Sequence, residues 1–241
     1  MNDELIRKHE GHVTHLTLNR PQKANALSAS LVEALLNAVE YAYTDGTRLM
    51  ILDGAGAHFC SGFDFSDYQA SSEGDLALRF LRIETLLQQL YHAPFETMVF
   101  AHGRIFGAGA DLVCCCGIRV AAPGTTFRMP GLKFGVVLGT RRLTHRIGAD
   151  HARALLAGSR TFDAEEALQM RFLTRSAAQA GWPALAAATR AECDVLTPGA
   201  AAALHRQTAI DSRAEDMAAL AASVSAPGLK ERIRLFREAN K

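Results

Sequence analysis

The 241-residue chain lacks a dominant charge: 26 lysines and arginines stand against 25 aspartates and glutamates, a formal net charge of +1. That balance excludes a general electrostatic footprint for nucleic acid, although a local basic cluster could still hold a small anionic ligand. It also lacks any CxxC pair. Its five cysteines fall at 60, 114, 115, 116 and 193, an odd number with three adjacent. Neither a disulfide framework nor a structural zinc site is expected from that spacing, and the setting reads as reducing. No run approaches the roughly 18 apolar residues of a membrane span. The first residues, MNDELIRKHEG, are charged and have no apolar centre, unlike a secretory leader. A soluble cytoplasmic protein is the expectation, with no nucleic acid and no membrane among its partners.

What is present is a globular balance of 49% hydrophobic and 21% charged residues, in a length that suits one domain or one domain with a small appendage. Residues 12–19, HVTHLTLN, are rich in β-branched and aliphatic residues and read as a strand, and RPQKAN reads as a turn. SASLVEALLNAVEYAYTDG carries Ser30 and Glu33 at capping-box spacing, then Leu31, Ala34, Leu35, Ala38, Val39 and Ala42 on one helical face. RLMILDG is a buried strand and AGAHFCSGFDFSDY a loop. Residues 75–92 form a helix with Leu76, Phe80, Ile83, Leu87 and Leu90 inward, and ETMVFAHG is a second buried strand. IRVAAPGTTFRMP reads as two short strands around a Pro-Gly turn. GTRRLTHRIGADHARALLAGSR holds two helical pieces. Asp163 caps a further helix, with Glu166 three residues on. Beyond residue 176 the chain is Ala-rich and helical, with breaks at Pro183, Pro198 and Pro227. Strands alternating with helices, followed by an all-helical end, make an α/β layout.

Two strand-to-glycine turns stand out, 45 residues apart at Gly62 and Gly107. In FCSGFDF, glycine at 62 permits a turn that leaves the following amide, that of Phe63, free to donate to a ligand oxygen. An ordinary glycine turn would look the same, and Asp64 reads equally as a cap of the next turn. In HGRIFGAGADLVCCCG, Gly107 and Gly109 open a helix whose first amides carry partial positive charge. A dinucleotide loop is a poor match, because the third glycine is missing and this is not the first βαβ unit. A P-loop is excluded, because no Gly-Lys-Ser/Thr follows. Adjacent helical residues point about 100° apart, so Cys114, Cys115 and Cys116 cannot share one metal ion and read as helix packing. Two free amides meeting on one oxygen make an oxyanion hole. Whether these two converge stays open at this level.

At these residues the chain resembles the crotonase superfamily, also called the enoyl-CoA hydratase/isomerase family. The resemblance runs from about residue 5 to about residue 175, and more loosely beyond. It is carried in order by LTLNRPQKANALSASLVEAL, FCSGFDF, AHGRIFGAGADLVCCCGIRVAA, TFRMPGLKFGVVLGTRRLTHRIG and LLAGSRTFDAEEALQMRFLTR. It implies a spiral of ββα units over residues 1–175 and a helical region over 176–241 serving trimerisation and coenzyme A contact. It also implies a homotrimer or dimer of trimers, and an acyl-CoA thioester as substrate with no further cofactor and no metal. The thioester oxygen is then held by the Phe63 and Ala108 amides. Lys23, Ala24, Asn25 and Ala26 line the adenine and phosphate end, and Ser61, Gly62, Asp64, Gly107 and Gly131 lie against the ligand. A late basic helix, LKERIRLFREANK, could add Lys230, Arg234 or Arg237 from a neighbouring subunit, or be a solvated amphipathic helix.

The chain departs from that family where the chemistry is done. The first of a hydratase's two glutamates falls at Asp111, about 1.5 Å shorter in reach. The second falls at Gly131, which can move no proton. The glycine-rich stretch before GTRRL is reduced to Val137, Leu138 and Gly139, and Ala108 replaces a common glycine where only the backbone amide matters. An ordinary two-glutamate hydratase is therefore disfavoured. Three readings remain: a lyase, isomerase or hydratase variant working with the oxyanion hole and Asp111; an acyl-CoA decarboxylase or thioester hydrolase; or a catalytically silent acyl-CoA binder. His58, His102 and His145 lie near the loops, and Arg128, Arg141 and Arg142 could meet a phosphate or a substrate carboxylate, or face solvent.

Overall fold

A computed structural model describes residues 4–240. Its larger sheet starts with two strands, β1 (Leu5–Glu10) and β2 (Val13–Leu18), paired antiparallel. The helix α1 (Ala29–Ala42), the strand β3 (Leu49–Gly54), the helix α2 (Glu73–Tyr91) and the strand β4 (Glu96–Ala101) follow. Then come β5 (Arg104–Phe106), α3 (Ala108–Cys115), β6 (Ile118–Ala121) and β7 (Thr126–Arg128). The order continues with α4 (Thr140–Ile147), α5 (Ala149–Gly158), β8 (Phe162–Asp163), α6 (Ala164–Gln169) and β9 (Arg175–Ser176). Four helices end the chain: α7 (Trp182–Cys193), α8 (Pro198–Thr208), α9 (Arg213–Ser225) and α10 (Leu229–Glu238). One sheet runs β1-β2-β3-β4-β6-β9, parallel from β2 onward, and a smaller one runs β5-β7-β8. Strand–strand–helix units thus repeat as β1–β2–α1, β4–β5–α3 and β6–β7–α4, the α/β spiral that the family resemblance implies.

The run Leu49-Met50-Ile51-Leu52 is apolar throughout because both faces of β3 are covered. Met50 and Leu52 join the main core with α1 and α2. Leu49 and Ile51 join Met98, Phe100 and Val120 in a second cluster, against which Trp182 and Leu185 of α7 pack. Among the described residues no helix is long and apolar enough to cross a membrane.

Two local expectations need correction, and one strand carries no sequence signal. Residues 5–10 form a strand although LIRKHE is mostly polar, because β1 is a sheet edge held by its backbone pairing to β2, with both faces exposed beyond Leu5. Ser28, not Ser30, caps α1: its extended backbone lets its Oγ accept from the Leu31 amide at 3.1 Å. Ser30 instead donates to Glu4 and Glu33 pairs with Arg82. Pro183 and Pro198 sit in the first turns of α7 and α8 rather than between helices, since a first-turn amide needs no partner.

Candidate functional site

The two glycine turns meet. Leaving β3, the chain reaches Gly62 with φ at +87°, and a Cβ there would overlap the Phe106 carbonyl oxygen and stand 3.2 Å from the Ala108 nitrogen. The Phe106 amide donates to the Cys60 carbonyl at 3.3 Å, and a Cβ on Gly109 would overlap that same carbonyl oxygen. Gly107 precedes α3 at φ 49°, ψ −126°, a conformation closed to residues with a side chain. Ala108 is the first residue of α3, so its amide has no carbonyl one turn back. No protein acceptor takes the Phe63 or the Ala108 amide among the described residues.

Both residues line one cavity of about 330 Å³. Six phenylalanines line it: Phe63, Phe65, Phe80 of α2, Phe106 of β5, Phe134 and Phe236 of α10. Phe63 stacks on Phe80 with centroids 4.2 Å apart and 19° between planes, and Phe134 lies 4.9 Å from Phe236. Ser61, Gly107, Asp111 and Gly131 also line it, whereas Lys23, Ala24, Asn25, Ala26, Gly62 and Asp64 do not. Those six lie alongside. The Ser61 amide donates to the Ala24 carbonyl at 2.9 Å and the Leu27 amide to the Gly62 carbonyl at 2.7 Å, so the 23–27 turn is stitched to the first glycine loop. A smaller cavity of about 200 Å³ between α7, α8 and the sheet holds none of these residues.

Asp111 sits one turn into α3 and is 3% exposed. Its Oδ1 is buried without a hydrogen-bond partner and lies against Gly139, where a Cβ would overlap it. Burial pushes the Asp111 carboxyl up to about 8; the Arg142 guanidinium opposes that shift and the Glu84 carboxylate adds to it. Arg142 and Glu84 form a bidentate pair at 2.8 and 2.5 Å, 3% and 1% exposed, and Arg142 reaches Asp216 at 3.2 Å. Arg142 is therefore neither a phosphate site nor a solvent-facing residue. It is a buried charge fixed behind the acid by carboxylates from α2 and α9. Spacing could not reveal that pair, because its members stand 58 residues apart.

Two other arginines hold the first glycine loop. Arg20 pairs with Asp64 at 2.9 Å and donates to the Ala26 carbonyl. Arg79 lies over the Phe63 ring at 4.3 Å and donates to the Asp64 carbonyl and the Asp67 carboxylate, each at 2.7 Å. Burial alone would raise the Asp64 carboxyl, but Ser66 and Arg20 hold it below the usual range. Asn25 is equally committed: its Nδ2 donates to the Ala55 and His58 carbonyls at 2.9 and 2.8 Å, and its Oδ1 accepts from the Arg20 amide. Lys23 is exposed beside them. Of the histidines, His58 accepts from the Arg104 amide, His102 packs near Trp182, and His145 is exposed; none lines the cavity. Arg141 is half-exposed and pairs with Asp216.

The last helix packs on its own chain. Leu229 and Ile233 are buried, Lys230 donates to the Ser71 carbonyl at 3.1 Å, and Arg237 lies over Tyr68. Arg234 is taken up by Glu231 and Glu238 of the same helix.

Comparison with known proteins bears on this site. A family model described as enoyl-CoA hydratase/isomerase matches residues 8–228. The fold superposes with a TM-score of 0.96 on a crystal structure assigned to the enoyl-CoA hydratase/isomerase group from Bordetella parapertussis, 48% identical, covering 97% of this chain and 98% of that one. A protein of Mycobacterium tuberculosis named "Probable enoyl-CoA hydratase echA6" is 34% identical over 167 residues, 68% of this chain and 66% of that protein. The ethylmalonyl-CoA decarboxylase of Mus musculus is 32% identical over 174 residues, 69% of this chain and 53% of that protein. The matches thus span about two thirds and about half the length of those two relatives.

Proposed function

The chain belongs to the enoyl-CoA hydratase/isomerase family, and on that premise we propose that it is an acyl-CoA enzyme of one-acid enolate chemistry. The thioester oxygen of the substrate accepts from the Phe63 and Ala108 amides, and Asp111 moves a proton to or from the carbon beside the thioester. The observation that carries this reading is the contact between the two glycine turns at Gly62 and Ala108, with both amides lacking a protein acceptor. Fixed amide dipoles in an apolar cavity stabilise an oxygen that gains charge, and α3 adds the partial positive charge of its first turn.

The acid supports the same reading. A carboxyl group with a pKa of about 8 is mostly neutral near pH 7 yet readily ionised, which suits both donation to and abstraction from carbon. Hydration needs a second group to activate water, and Gly131 brings no side chain to the cavity wall where the family keeps its second glutamate. Double-bond shift and lyase chemistry need only one group working on carbon. A second reading, decarboxylation, draws on the same neutral Asp111. Loss of carbon dioxide leaves its electron pair in the enolate, and the acid then supplies the proton to carbon.

Lys23 to Ala26, beside Ser61 to Asp64, form the strip on which we place the adenine and phosphate end of coenzyme A. The helical region 176–241 exposes Val195, Leu196, Leu204 and Ile210, apolar side chains that support assembly into a homotrimer or a dimer of trimers. The five free cysteines fit a cytoplasmic setting. A panel of acyl-CoA thioesters assayed with the wild type and Asp111→Ala tests the reading. Brisk hydration of crotonyl-CoA that survives the substitution would contradict the role given to Asp111. Failure of every acyl-CoA to bind at high micromolar concentration would remove the ligand class.

A further inference from the structure

The cavity wall carries two ionisable side chains, Asp111 and Arg128. Arg128 is the last residue of β7. Phe127 before it is fully buried in the core, and the alternation of the strand turns Arg128 the other way. Its carbonyl accepts from the Gly107 amide at 2.8 Å, which fixes it beside the second glycine turn. Its Nε donates to the Ser159 carbonyl at 2.9 Å, at the end of α5. That is the one hydrogen bond its side chain makes among the described residues, and no carboxylate there pairs with it. The fork's remaining donors are left without a protein acceptor.

The other arginines around the site are spent. Arg20 and Arg79 brace the first glycine loop, Arg142 is locked to Glu84, and Arg232 holds the Phe134, Ser223 and Ala226 carbonyls. Arg128 alone among these presents an uncompensated cation to a cavity walled by Phe106, Met129, Leu132 and Leu156. A half-buried guanidinium beside apolar groups is completed by an anion of planar, two-oxygen geometry. Resting on the acyl-CoA reading above, we propose that Arg128 binds a second carboxylate carried by the acyl group, so that the preferred substrates are coenzyme A monothioesters of dicarboxylic acids. A carboxylate paired with Arg128 is stabilised in its charged form, so it is a retained group and not one lost as carbon dioxide. The phosphates of coenzyme A are the other source of an anion. Lys23, exposed and outside this cavity, serves them instead.

Calorimetric titration with glutaryl-CoA, pentanoyl-CoA and free coenzyme A tests this, because the first two share a five-carbon acyl chain and differ in the terminal carboxylate. Glutaryl-CoA is expected to bind about tenfold or more tightly than pentanoyl-CoA to the wild type. In Arg128→Gln that ratio falls to about one, with the loss carried by the glutaryl thioester, and Arg128→Lys restores part of it. A role confined to tying β7 to α5 would not change the ratio. Equal affinity of the two thioesters for the wild type overturns the proposal whether or not the variants fold. So does an Arg128→Gln loss shared equally by pentanoyl-CoA and free coenzyme A, which would assign the anion to the cofactor's phosphates. If pentanoyl-CoA binds and glutaryl-CoA binds no better, this inference fails alone; if no thioester binds, the acyl-CoA reading fails with it.

Discussion

The Asp111 carboxyl rests on the α-carbon of Gly139: a Cβ at 139 would overlap Oδ1 and stand 2.8 Å from Cγ. Gly139 also holds φ at +66° where it caps α4, so alanine is disfavoured there twice over. Gly139→Ala is expected to move the acid and cost about 100-fold in kcat, with a smaller change in KM. Steady-state kinetics on a turned-over thioester, with circular dichroism to confirm folding, checks this.

Asp111 also sets a pH dependence of stability. Its carboxyl titrates near 8 in the folded chain and near 3.8 when unfolded. Between those values only the folded state keeps the proton, so this group's contribution to stability falls as pH rises from about 4 to about 8. Asp111→Asn removes that loss. The variant is expected to be more stable than the wild type at pH 7, by on the order of a few kcal/mol, with the gain shrinking toward pH 4. Urea denaturation at pH 4, 5.5 and 7 reads the trend, and a gain that grows toward acid would contradict it.

Glu84 and Arg142 tune the acid from behind in opposite directions. Glu84→Gln removes a repelling charge and lowers the Asp111 pKa; Arg142→Met removes an attracting one and raises it. The midpoint of the pH–rate profile should therefore move down in the first and up in the second. Arg142→Met also strands Glu84 in the interior and is expected to cost about 3–5 kcal/mol in urea melts. Shifts of the same sign in both variants would show that the pair acts on rate by packing alone.

The two glycines of the oxyanion turns are expected to fail for different reasons. At Gly62 both space and φ forbid a side chain. Gly62→Ala should push the Ala108 turn away, with a loss of about 100-fold or more in kcat. At Gly107 the nearest atom to a Cβ is Pro130 Cδ at 3.9 Å, so there is room and only the backbone conformation resists. Gly107→Ala should cost about 1–3 kcal/mol of strain. Denaturation midpoints beside kcat values for the two variants separate the effects.

Much of the layout was legible in the chain. The β-branched and aliphatic run at 12–19, the apolar face of residues 75–92 and the two glycine turns correspond to β2, α2 and the paired loops. β1 was not, because an edge strand exposed on both faces beyond Leu5 carries no apolar alternation. Asp111 stood out by its place after Ala108, but its neutral state did not. That state depends on burial, on the missing side chain at Gly139 and on a charge pair drawn from α2 and α4. None of these is local to GAGAD. The tail showed its basic composition, while its docking onto the chain's own Ser71 and Tyr68 is a tertiary fact.

The most direct test of the account is exchange of the α-hydrogens of pentanoyl-CoA in heavy water, followed by proton magnetic resonance. This saturated thioester offers nothing to hydrate or shift, so exchange reports enolate formation alone. We expect the wild type to exchange them at a rate that climbs with pH toward about 8, as Asp111 ionises and acts as base. Asp111→Asn should lower that rate about 100-fold or more while still binding the thioester. Equal exchange in the two proteins, or none in a wild type saturated with ligand, would contradict it.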